Sequence, residues 1–130
     1  MALTVALSDN EKVMAAFALM LVLLAPVKIA IAGPTHTPKV NTHWNYTVRV
    51  TRGGKPVHAK LTEQIIDPIG GHHLVQFGPS TKYIKNWPID GVFHDYIIWP
   101  PEGRGITLKL HVIAKVGTRT YTKNYVVTPR

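Results

Sequence analysis

ITLKLHVIAKVGTRTYTKNYVV, Ile106 to Val127, alternates apolar and polar residues on both sides of a Gly117-Thr118 step. Ile106, Leu108, Leu110, Val112, Ala114 and Val116 fall on one face; Thr107, Lys109, His111 and Lys115 fall on the other. A period of two is the signature of a half-buried strand. Gly117-Thr118 suits a two-residue hairpin of the II′ kind. Tyr121, Tyr125 and Val127 keep the phase of the returning strand, and Lys123 breaks it, which predicts a bulge or an edge position.

Working outward, the same alternation recurs. In His43–Thr51, Trp44, Tyr46, Val48 and Val50 share a face. Gly53-Gly54 supplies a turn, and Pro56 opens a strand in which Val57, Ala59, Leu61 and Ile65 alternate, with Glu63 as the one polar residue in phase. If Val50 faces Val57, Arg49 and Lys60 share a basic outer face of this hairpin with His58. His72–Phe77 and Val92–Trp99 are two further strands, separated by the long connection Gly78–Gly91. Strands at this spacing, punctuated by Gly and Pro, predict an antiparallel sandwich or barrel.

Before the strands lies the long apolar run Val13–Ala32, VMAAFALMLVLLAPVKIAIA. Counted to Gly33 its ~21 residues would, as a helix, reach about 31 Å, one hydrocarbon core. Two expectations follow. One is a retained single-span anchor, with Lys28 snorkelling to the interface; the poorly charged leader MALTVALSDNEK favours it. The other is a signal peptide cleaved at Ala32-Gly33 after Ala30-Ile31-Ala32. The expected division is a tail over residues 1–12, the anchor or signal segment over 13–32, a Pro-containing linker over 33–42, and the β domain over 43–130. Either way the β domain is expected outside the cytoplasm, at the cell membrane or secreted.

The 130 residues contain no Cys and carry a net charge of +8. Disulfides, thiolate metal sites and Cys nucleophiles are thereby excluded. The leader's charges cancel, so the positive excess falls on the domain and suits an anionic neighbour such as lipid or wall polymer. Ser80 is the only serine of the domain and lies in no nucleophile elbow. The adjacent His94 and Asp95 point to opposite faces of one strand. No enzymatic activity and no cofactor are expected. Seven histidines make a metal site the main alternative. Its candidate ligands are His58, His72, His73, His94 and His111, which would have to pair across strands. Lys82, Tyr83, Lys85 and Trp87 in the long connection, with Arg49 and Lys60, are the candidate partner-binding residues. Lysines beside aromatics also occur in nucleic-acid binders, but a domain outside the cytoplasm argues against that partner.

YTVRVTRGGKPVHAKL, Tyr46 to Leu61, resembles bacterial Ig-like domains of the invasin or YtkA-like sort, in which a Gly-containing turn and G-K-P-V lead into the next strand. GVFHDYIIWP and GITLKLHVIAKVGTRTYTKNYVV are similar to their closing strands, so the likeness spans Trp44–Val127. It implies a mainly β chain with a single Ig-like antiparallel β-sandwich. Such domains act as spacers, adhesive modules or accessory subunits of envelope assemblies, and the likeness supplies no catalytic residue.

Overall fold

The computed structural model describes residues 8–130. The chain is mainly β, with two antiparallel sheets facing each other across one core. Among the described residues one α-helix, α1, spans Asp9–Leu24, and a 3-10 turn spans Pro101–Gly103. Ser8 and Glu11 form its capping box: the Ser8 N–H donates to Glu11 Oε2 at 2.8 Å, and the Glu11 N–H donates to Ser8 Oγ at 3.3 Å.

The helix does not continue to Ala32, as the apolar run leads one to expect. Pro26 cannot extend the helical ladder, and Val27–Ala32 is instead strand β1. Val27, Ile29 and Ile31 pack against the core while Lys28, Ala30 and Ala32 point out. Among the described residues no helix is long and apolar enough to cross a membrane.

The first sheet is built around β2 (His43–Arg52). β1 pairs along one side of it, from Val27 opposite Arg52 to Ala32 opposite Thr47. On the other side lie β7 (Val92–Ile98) and the two-residue β3 (Lys55–Pro56). Gly53 and Gly54 both have positive φ, 58° and 77°, as the tight turn between β2 and β3 requires. The β2–β3 hairpin then stops: Pro56 has no N–H to give, and the chain crosses to the opposite sheet.

That second sheet is built around β4 (His58–Ile66). β8 (Leu108–Val116) and then β9 (Arg119–Val127) lie on one side. On the other side, β6 (Trp87–Asp90) covers the first half of β4 and β5 (His72–Leu74) the second half. β9 is the sheet's edge, and its register with β8 runs unbroken, so the out-of-phase Lys123 reflects an edge position and not a bulge. Gly117 alone of its turn has positive φ, 61°, as a II′ hairpin demands.

The crossing at Val57 corrects one expectation. Arg49 belongs to the first sheet and His58 and Lys60 to the second, so no shared basic face forms. The core between the sheets contains Trp44, Val48, Val50, Leu61, Leu110, Val112, Ala114 and Trp99. The Pro-containing segment after β1 is bound to the sandwich. Val40 donates to the Arg130 carbonyl at 3.0 Å, Thr128 to His36 at 2.8 Å and Arg130 to Pro38 at 2.9 Å. Pro38 and Val40 are buried. Trp44 Nε1 donates to the Thr35 carbonyl at 2.9 Å, and its ring packs so closely on Gly33 that a Cβ there would collide with it.

Candidate functional site

β5 and β7 are both terminal in their sheets, and the side of the sandwich between them holds a groove of about 590 Å³. Its walls are mostly apolar, with Ile65, Leu74, Tyr83, Ile97, Ile98 and Leu108, and His73, Gln76 and Ser80 add polar groups. The wall on the β5 side is the first part of the long connection, which folds back on itself. Phe77 donates to the Lys82 carbonyl at 2.8 Å and Ile84 to the Val75 carbonyl at 2.8 Å. Val75 and Ile84 are buried by this fold-back, which leaves Tyr83 on the lip, 53% exposed. Ile98 forms the opposite lip, 49% exposed. Two large apolar side chains half open to water beside a concave surface are the usual anatomy of a recognition site.

Beneath the groove lies a buried polar cluster that bridges the sheets. The Tyr46 hydroxyl of β2 donates to Glu63 Oε1 of β4 at 2.5 Å and lies 3.3 Å from Asp95 Oδ2 of β7. Glu63 is 0% exposed, and its Oε2 has no hydrogen-bond partner. Burial pushes the Glu63 carboxyl up to about 8, opposed by the Tyr46 hydrogen bond and reinforced by the negative Asp95. Burial likewise raises Asp95, against backbone hydrogen bonds from Tyr96 and Gly78. Tyr46 is held protonated by burial and by Glu63. Two carboxyls therefore converge in the core, Glu63 fully buried and Asp95 8% exposed.

The cluster fastens the groove wall. The Gly78 N–H donates to Asp95 Oδ1 at 2.9 Å. The Glu63 N–H donates to the Ile84 carbonyl and its carbonyl accepts from Val75, both at 3.0 Å. Gly78 is pressed against the Tyr96 ring at a separation that leaves no room for a Cβ.

The candidate metal ligands are scattered. His58 Nδ1 meets Asp90 Oδ1 at 2.5 Å at one end of the second sheet. His94 bonds Thr47 at 2.9 Å on the outer face of the first. His73 bonds Asp67 at 2.9 Å, and this contact, helped by the Gly71 and Ile69 amides, holds the Asp67 carboxyl below its usual range. Only His72 and His111 of the five come together, their ring centroids 6.2 Å apart, with Nδ1 atoms facing Gln64 and Asn124. Among the described residues no group of three or more His, Cys, Asp or Glu is placed to hold a metal ion.

The candidate partner-binding residues divide differently. Tyr83 is on the groove lip, and Lys82 beside it is exposed. Lys85 is exposed, whereas Trp87 is turned inward against Phe77 and Phe93 at ring distances of 5.0 Å and 6.3 Å. Arg49 and Lys60 lie on opposite outer faces of the sandwich. Ile98 and Leu74 escape a sequence-only reading, because nothing local marks a strand residue as bordering a groove.

The sandwich agrees with the architecture expected from the bacterial Ig-like resemblance and does not single out that family. No protein-family model, curated protein or solved structure matches the chain.

Proposed function

We propose that this chain is a non-enzymatic binding module of the cell envelope that engages another envelope protein through the groove between β5 and β7. The groove, with its exposed Tyr83 and Ile98 lips, is the observation that carries this reading. The sealed state of the Tyr46–Glu63–Asp95 cluster supports a binding role over a hydrolytic one. Delivery outside the cytoplasm rests on the apolar residues Val13–Ala25. As a helix they reach only about 20 Å, the length of an export signal's apolar region and short of a bilayer core.

The test is recovery of tagged full-length chain with its partner from native membranes, compared across three variants. Tyr83→Asp and Ile98→Lys are expected to abolish co-purification, and Lys60→Glu, on a distant face, to preserve it. Equal recovery with all three, or no stoichiometric partner with wild type, refutes the reading.

A further inference from the structure

The groove is bounded by backbone as well as by side chains, and the register identifies which backbone groups are free. Val50 donates to the Gly91 carbonyl at 2.8 Å, which places Gly91 in a hydrogen-bonded pair. Bonded and non-bonded pairs alternate along an antiparallel ladder. Phe93, Asp95 and Ile97 therefore turn their N–H and C=O groups toward β2, and His94, Tyr96 and Ile98 turn theirs away, the Tyr96 N–H being held by the Asp95 carboxyl. Among the described residues β7 has no partner strand on that side. The same logic applies across the groove. Val75 donates to Glu63 and Asp67 to Gly71, so Gly71, His73 and Val75 face β4, and His72 and Leu74 face outward.

Other edges of this sandwich carry the residues that discourage strand addition: Lys28 on β1, Pro88 on β6, Lys123 on β9. Charges and prolines are the common means of blunting an edge. β7, VFHDYII, has neither lysine nor proline, and its one carboxylate, Asp95, is turned into the core. An open edge beside an apolar groove is the geometry of β-augmentation, in which main-chain bonds supply affinity and pockets for alternate side chains supply specificity.

We propose that the groove receives an extended segment of the partner protein as an added strand on β7, with alternate apolar side chains over Ile65, Ile97 and Leu108 and acidic residues flanking them. This rests on the binding-module reading and names its ligand. The acidic flanks follow from charge: no carboxylate lines the groove, and the chain carries a net charge of +8. Edge-to-edge pairing of two copies would bring together two chains of net charge +8, so an acidic segment is the better match. From His94 to Ile98 the free edge is about 13 Å long, room for about five residues of strand.

The probe is a short synthetic peptide of alternating valine and threonine flanked by glutamates, titrated into the full-length chain and followed by NMR amide exchange. Protection of the His94 and Ile98 amides is expected to rise roughly tenfold or more on saturation, while Phe93 and Ile97, already bonded to β2, and Tyr96, already bonded to Asp95, change little. A peptide with proline at its centre is expected to bind roughly tenfold more weakly, as is the peptide against Ile98→Pro, which removes an outward donor and spares the ladder to β2. Ile98→Lys, which keeps the N–H, serves as the second variant should Ile98→Pro unfold. Lysine-flanked peptide is expected to bind more weakly than glutamate-flanked peptide, with the difference lost at high salt. Binding without protection at His94 and Ile98, equal binding of the proline peptide, or protection that appears without peptide and grows with protein concentration each overturn strand addition. In those cases partner recovery that depends on Tyr83 would leave the binding-module reading standing; loss of that dependence would remove both.

Discussion

Replacing Glu63 by glutamine removes a proton that the folded state holds and the unfolded chain releases. In the folded protein the carboxyl is pushed up to about 8; its ordinary value is 4.5. Between those two pH values the folded form binds more protons than the unfolded one, so wild-type stability falls as pH rises, and it levels off above about 8. Each pH unit in that window is worth about 1.4 kcal/mol. From pH 5 to pH 8 the loss attributable to this group is therefore about 4 kcal/mol. Glu63→Gln cannot titrate. Its Oε1 still accepts from Tyr46, and its Nε2 occupies the place where Oε2 has no partner, an exchange costing about 1 kcal/mol. The variant should therefore be about as stable as wild type, or slightly less so, at pH 5, and clearly more stable at pH 8. Urea unfolding of both proteins at half-unit steps from pH 5 to pH 9 measures this. Subtracting the two curves cancels the titrating groups that are not coupled to Glu63, and leaves Glu63 with its neighbour Asp95. A difference that does not change with pH would refute the placement of a protonated carboxyl in this core.

Three further outcomes test the fold around the groove. Tyr46→Phe deletes the hydroxyl shared by two buried carboxyls and should destabilise the chain by about 1–3 kcal/mol in urea unfolding. A chain beginning at Val27 should melt at the temperature of the full chain, whereas one beginning at Gly33 loses β1 and the packing of Val27, Ile29 and Ile31, about 3–5 kcal/mol, measured by thermal unfolding. Arg49→Glu and Lys60→Glu, on opposite faces, should alter stability additively to within about 0.5 kcal/mol in a double-mutant cycle; larger coupling would contradict the separation of β2 and β4 into two sheets.

Much of the sandwich was legible because half-buried strands repeat with a period of two. β2, β4, β8 and β9 show it plainly, and the faces assigned to Trp44, Val48, Leu61, Leu110 and Val112 are the buried ones. β1 was hidden because its outward residues include Ala30 and Ala32, so its alternation merges with the apolar run before it. β6 was hidden by Pro88, tolerated there because β6 is an edge strand. The pairing of β2 with β7 is non-local, and the Gly53-Gly54 turn suggested a longer hairpin with β4 than the two residue pairs it closes. The buried cluster left a readable trace: Tyr46, Glu63 and Asp95 each fall in phase with apolar neighbours, which places polar groups on the core face of three strands. The groove left none, since it is formed by two edges that meet only in the folded chain.

Site-specific photo-crosslinking in native cells tests the central claim most directly. A photoreactive residue at position 83 or 98, on the groove lips, is compared with one at position 122, on the outer face of the second sheet. Positions 83 and 98 are expected to crosslink to one segment of one partner protein, mapped by mass spectrometry, and position 122 is not. Crosslinks that are equal at all three positions, or absent from the groove, would contradict it.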